Sequence, residues 1–441
     1  MRTARIALCG AVAAVLLGPA RPLPLHSQTP PTAPPPSQST SQPGPQTTFR
    51  ATTSLVEVDA VIHDDRGEFV PGITADDLTL LEDGKPQSIQ NFYMVTHDSN
   101  AVSPTINTSI GGQGLPEERA HRVFILMFDE GSLATESMMR VKRGAEQFIE
   151  QQIGPGDYCG VLVNGSMYRC RLTNDKNELL MGVRAVKPGF ETRQSLLASL
   201  REFPRIPSEV DAERIEQGAI EVTVQLGTQA CIDDPAQCAE AGNLQGVENL
   251  LQQKARLYVR QSRALAAQTV QNFQYVSTGL SHIPGRKTVI FLSEGFFSEE
   301  SRAILQTVAA TAARGGTTIY SIDGRGNING LSVNPDVVRA SMSRSGADDT
   351  GDDGPMILTS GTGGFMVHGM DDFSRAFGLV VRDTSTYYVI GYRPANSVMD
   401  GKYRKIELKA KVPGLNIRAR KGYLAVSLPP LEMMHGGSGG K

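Results

Sequence analysis

The passage that most constrains the fold is Arg122-Val123-Phe124-Ile125-Leu126-Met127-Phe128-Asp129-Glu130-Gly131-Ser132, an apolar run that ends in an acidic loop containing Gly and Ser. A helical pattern follows from Ala134 to Gln152. A second run of the same kind, Lys287-Thr288-Val289-Ile290-Phe291-Leu292-Ser293-Glu294-Gly295, comes much later. Short continuous apolar runs suit strands covered on both faces, which are usually parallel. Open parallel sheets take their ligands off the carboxyl ends of the strands. Asp129, Ser132, Ser293 and Glu294 are therefore expected to converge at one edge, as a divalent-cation site requires.

This pair of strands resembles the von Willebrand factor type A domain. Three passages, in order, narrow the resemblance to the related proteins common in acidobacteria: Val70-Pro71-Gly72-Ile73-Thr74-Ala75-Asp76-Asp77-Leu78 with Glu82-Asp83-Gly84-Lys85; Ile283-Pro284-Gly285-Arg286-Lys287 into Phe291-Leu292-Ser293-Glu294-Gly295-Phe296; and Tyr387-Tyr388-Val389-Ile390-Gly391-Tyr392. The resemblance spans roughly Phe49 to Tyr423. It implies an α/β fold, a Rossmann-like domain with a central, mostly parallel sheet flanked by helices.

A type A domain usually holds Mg²⁺ or Mn²⁺ with an Asp-x-Ser-x-Ser loop, a Thr from a second loop and an Asp from a third. Such hard cations take oxygen ligands, one or two of them carboxylates. Here Asp129 matches. Gly131 and Leu133 stand where the serines belong, and Ser132 is one place out of register. Glu294 stands for the final Asp, and Thr192 is the expected threonine. The resemblance thus implies one of two things. Asp129, Glu130, Ser132, Thr192 and Glu294 form a degenerate site for Mg²⁺, Mn²⁺ or Ca²⁺, or metal binding is lost and the loops are a plain protein-binding edge. Without a metal role, Asp129 or Ser132 would cap the following helix.

The chain has 441 residues, enough for two or three domains. The alternation of elements from Ala120 to Asp383 is a βαβ pattern. Strand patterns occupy residues 49–98 and 384–427. Neither half has enough strands to stand alone, whereas together they suit one β-sandwich. The expectation is a type A domain, residues 120–383, inserted between two sandwich halves. Residues 99–119 read as linker. The long passage Arg201–Gln245 reads as a surface excursion near the site edge, Gly246–Leu280 as one long helix, and Ser345–Gly354 as a mobile acidic loop. Gly-rich Ser360–Gly364 precedes a strand and is a poor phosphate cradle, because cradles precede helices.

Residues 1–27 have a basic start, an apolar run from Ile6 to Gly18 too short to span a bilayer, and small residues after it, the pattern of a signal peptide. Residues 28–48 are a Pro-rich disordered linker and 428–441 a disordered tail. No later run reaches transmembrane length. A secreted or periplasmic chain makes its cysteines candidates for disulfides. Asn164-Gly165 is a hairpin turn that sets Cys159 opposite Cys170, although a bridge at a hydrogen-bonded position is strained. Cys231 and Cys238 bracket a short loop and form the second expected bridge. Zinc is the competing reading, with neither Cys-x-x-Cys spacing nor a neighbouring His in its favour.

The net charge of −3 and the lack of a basic run argue against nucleic acid as a partner. The seven histidines are scattered, and no His-Glu-x-x-His, Gly-x-Ser-x-Gly or P-loop pattern occurs. Catalysis is not expected. The resemblance implies an exported binding module that engages a protein or cell-surface component through residues 129–133, 190–193 and 294–298. Of Phe296 and Phe297, one would be buried and the other exposed as an anchor. A structural envelope protein with no metal site, and after it a metal-assisted hydrolase, are the alternatives.

Overall fold

The computed structural model describes residues 55–98, 103–110, 121–296, 302–326 and 351–426. The expected signal segment, the Pro-rich linker, the C-terminal tail and Phe297 lie outside these residues. No helix among the described residues is long and apolar enough to cross a membrane.

The architecture is mixed α/β. A six-stranded sheet contains β6 (Val123–Phe128), β7 (Tyr158–Val163), β8 (Ser166–Met167), β9 (Lys287–Ser293), β10 (Thr317–Asp323) and β11 (Met366–Val367) in the order β11-β10-β9-β6-β7-β8. All its pairings are parallel except that of β7 with β8. Alternation along β6 sorts its side chains between two cores. Phe124, Leu126 and Phe128 meet α1 (Thr135–Gln152), α2 (Lys176–Ala185) and α10 (Phe373–Ser385). Val123, Ile125 and Met127 meet the second half of α7 (Asn243–Leu280), α8 (Arg302–Arg314) and α9 (Asp353–Thr362). Both faces are therefore covered, which is why β6 and β9 read as unbroken apolar runs.

Helix α1 shows the underlying pattern. Met138, Val141, Ala145, Phe148 and Ile149 recur at helical spacing and all are buried. The first half of α7 packs instead on α3 (Arg193–Arg201), α4 (Glu209–Glu216), α5 (Ile220–Asp233) and α6 (Pro235–Glu240), with its own apolar core. The stretch expected as a surface excursion is thus largely a helical annex. The Cys231–Cys238 disulfide joins the end of α5 to α6. The other expected bridge is absent, because Cys159 is a free, buried thiol. The Asn164-Gly165 turn does set the expected register, Leu162 against Met167. After Met167 the chain leaves the ladder through a tight turn, with Arg169 and Cys170 at positive φ, and Thr173 returns opposite Cys159.

The remaining strands are antiparallel. One sheet runs β14-β1-β12-β4-β5 and contains β1 (Val56–His63), β4 (Ile89–Thr96), β5 (Thr105–Ile110), β12 (Thr386–Tyr392) and β14 (Asn416–Ala419). The other runs β15-β13-β2-β3 and contains β2 (Leu78–Glu82), β3 (Lys85–Pro86), β13 (Tyr403–Ala410) and β15 (Gly422–Leu424). Strand β12 lies between β1 and β4, β13 beside β2, and one apolar core joins the two sheets. The supposed linker after residue 98 contains β5, which pairs with β4. Its Thr-Ile-Asn-Thr-Ser-Ile sequence is polar enough to read as loop, as edge strands often are.

Two histidines of the antiparallel sheet give the fold a pH dependence. Burial, assisted by arginines nearby, lowers His63 and His97 to about 4. The folded chain keeps these rings neutral where an unfolded chain, with its ordinary histidine value near 6.5, protonates them. Stability is expected to be full above about pH 6.5 and to fall steadily toward pH 4. A melting temperature unchanged across that interval would show that neither ring is held neutral.

Candidate functional site

In the six-stranded sheet, β7 lies to one side of β6 and β9 to the other. The crevice between the carboxyl ends of β6 and β9 is thus the point where the strand order reverses, the usual place for a ligand in an open parallel sheet. Asp129 leaves the end of β6 there, with its N–H still bonded to Leu292 in β9. Ser293 and Glu294 leave the end of β9.

The two loops form one network. Thr269 of α7 donates to Asp129 Oδ1 at 3.0 Å, and Ser293 donates to Oδ2 at 2.7 Å. The hydroxyls of Ser132 and Ser293 lie 2.9 Å apart. Ser132 Oγ also accepts the N–H of Glu294 at 3.1 Å. Asp129 is 5% exposed and has no cationic partner at hydrogen-bond distance among the described residues. Burial pushes its carboxyl up, and the hydrogen bonds from Ser293, Ser132 and Thr269 oppose the rise.

Glu294 is buried beside this group, and its Oε1 accepts the N–H of Ala134 at 3.1 Å. Ala134 is the N-cap of α1 and has no capping side chain of its own, and the Glu294 carboxylate instead satisfies the N–H of Ala134 at the positive end of the helix. Two backbone features allow the approach. Gly295 has φ 86°, a left-handed turn that side chains resist. Gly131 passes so close to α7 that a Cβ would lie 3.0 Å from Leu265.

Other expected ligands do not join this group. Thr192 caps α3 by accepting the N–H of Ser195. The threonine that meets Asp129 is Thr269, which stands on α7 between buried Ala266 and Phe273. The signal was a threonine at helical spacing between Leu265 and Phe273, inside an otherwise apolar stripe. Glu130 accepts the N–H of Asn164 and braces the β7–β8 turn. Ser132, out of register by residue count, is brought in by the turn at Asp129, whose carbonyl accepts from Ser132 and Leu133.

Phe296, a proposed anchor, is 5% exposed and packs edge-on to Phe291, so it belongs to the core. Among the described residues, the aromatic presented at this edge is Phe190. It is fully exposed, on a loop held to the Asp129 loop by the bonds Gly189 N–H to Glu130 O and Arg193 N–H to Gly131 O.

A second polar group occupies the same edge one strand further on. Asp323, at the end of β10, pairs in register with Ser293. With Asp352 and His368 it brings three potential ligand atoms within 4.8 Å of one another. Arg325 holds the centre, with Nη2 2.8 Å from both Asp323 Oδ2 and Asp352 Oδ1. Burial alone would raise the Asp323 carboxyl, but hydrogen bonds from His368 and Arg325 outweigh it and hold the group below its ordinary value. The sequence pattern puts Asp352 in a mobile acidic loop. It is buried at the start of α9, whose left-handed cap at Gly363 accounts for the Gly-rich run.

No protein-family model matches the chain, and no curated protein matches it either.

Proposed function

We propose that the chain is an exported binding module of the von Willebrand type A kind, which takes a protein or surface component at the carboxyl edge of its parallel sheet. The observation that carries this reading is the oxygen cluster of Asp129, Ser132, Ser293 and Thr269 at the reversal of strand order, with Glu294 beside it. One buried carboxylate, three hydroxyls and a second carboxylate form a hard, all-oxygen donor set, which suits Mg²⁺, Mn²⁺ or Ca²⁺. Asp129 and Glu294 would supply the charge, and the hydroxyls would turn lone pairs toward the ion. Phe190 gives the edge an exposed apolar contact of the kind that anchors partners. The same reading makes the parallel-sheet body an insertion in one β-sandwich, supported by the placing of β12 between β1 and β4.

A second reading, a structural module in which the cluster only locks the two loops, is favoured by the hydrogen bonds to both carboxylate oxygens of Asp129. Thermal unfolding in chelator and in each cation separates the two. A cation at about 100 times its Kd stabilises by roughly 2.7 kcal/mol, a rise of several degrees. Asp129→Asn should abolish that rise. It should also leave the chelated protein as stable as the wild type or more so near neutral pH. A carboxyl whose value is raised on folding loses stability as pH rises past the unfolded value, and the amide escapes that loss. No response to any ion, with Asp129→Asn destabilising, would establish the lock instead.

A further inference from the structure

At the opposite, amino edge of the parallel sheet, a narrow cleft opens against the antiparallel body. His97, His121, Arg122, Arg286, Thr288 and Tyr387 line it, and no carboxylate does among the described residues. Arg122 and Arg286 stand just before β6 and β9, and His97 just after β4. The cleft has room for about one water-sized body.

The two arginines differ. Arg122 is matched by Asp157 in a two-point ion pair. The Arg286 side chain is 6% exposed and lies over the Tyr387 ring at 4.6 Å. Its Nη2 donates to the Tyr320 hydroxyl at 2.7 Å, and Asp383 is 3.6 Å away. Its Nε and Nη1 are buried and meet no acceptor among the described residues. Buried donors without acceptors are costly, more so on a charged group. Asp383 is shared with Arg418, and Asp59, which faces Arg286 from β1, also faces Arg420 and Lys287, so neither carboxylate is matched to Arg286 alone.

We propose that this cleft binds one small monovalent anion of the halide class, held by Arg286 with the two histidines. A water would give Nε and Nη1 an acceptor but would leave the surplus positive charge uncompensated. An anion does both. It also changes the balance at His97, which is faced by Arg122, Arg286 and His121 and by the single carboxylate of Asp157. A bound anion favours the charged imidazole, so by linkage the anion binds more tightly as pH falls. The ion would tie β4, β6, β9 and β12 together at the junction of the two bodies.

The test uses the full chain. Thermal unfolding is followed in sodium bromide and in sodium gluconate, whose anion is too large to enter, at equal ionic strength and at pH 7.5 and 5.5. Crystals grown in bromide are measured for anomalous scattering. The expected result is a saturable rise in Tm with bromide alone, half-saturating at several-fold lower concentration at pH 5.5, and an anomalous peak beside Nε and Nη1 of Arg286. Arg286→Gln should lose the rise. His97→Gln, a milder change, should keep it and lose its pH dependence. Coincident bromide and gluconate curves at both pH values would overturn the proposal in favour of water. A peak without stabilisation would mean an adventitious ion only and would overturn it equally.

Discussion

Replacing Phe377 by alanine is expected to lower the unfolding free energy by about 3–5 kcal/mol, the range for deleting a fully buried aromatic ring. Phe377 on α10 is 0% exposed and stacks on Phe148 of α1 with ring centroids 5.0 Å apart. Its surroundings have little means of closing the gap. Gly144 on the facing turn of α1 has no side chain to move in, and it sits where a Cβ would be 2.4 Å from Phe373 and 3.3 Å from Phe377. The helices already touch through backbone, so the vacated volume stays as a cavity. In urea the midpoint should fall with little change in slope. A loss below about 1 kcal/mol would show that α10 does not pack on α1 as described.

Asp157→Ala is expected to cost about 3–5 kcal/mol for a different reason. Arg122 Nε and Nη2 reach Asp157 Oδ1 and Oδ2 at 2.7 and 2.6 Å, and both side chains are 6% exposed. Oδ2 also accepts the N–H of Gly154 at 2.8 Å. Removing the carboxylate strands a buried guanidinium and orphans a backbone donor. Replacing both partners, as in Arg122→Met with Asp157→Leu, removes the charge along with its counter-charge and should recover much of the loss. Urea unfolding of the two single variants and the double variant measures the coupling. If the double variant is as unstable as the sum of the singles, the pair is not acting as a unit.

The parallel sheet was readable because burial on both faces writes an unbroken apolar run into β6 and β9, and because such runs end where the chain leaves the sheet. The positions of Asp129, Ser293 and Glu294 follow from that ending alone. Thr269 was harder to read, since its helical spacing between Leu265 and Phe273 marks it as buried without saying that it meets Asp129, far away along the chain. The reading of Cys159 opposite Cys170 failed for a local reason. Register in a hairpin persists only while both strands persist, and β8 ends at Met167. The polar group at Asp323, Asp352 and His368 draws on three separate elements, each of which looks ordinary by itself. Phe296 shows the limit of residue type as a guide. Whether an aromatic at a strand end faces core or solvent is decided by what packs against it, here Phe291 and the turn at Gly354.

The threading of the chain also has a mechanical consequence. The path enters the parallel-sheet body after β5 and leaves it into β12, which is paired with both β1 and β4. Tension applied between residue 55 and residue 426 therefore meets the ladders joining β1 to β12 and β14 before it can reach the strands that carry Asp129 and Ser293. The antiparallel sheets act as a clamp in series with the load, and the parallel-sheet body hangs from that clamp as an unloaded loop. A pulled molecule should keep the site edge intact until the clamp shears.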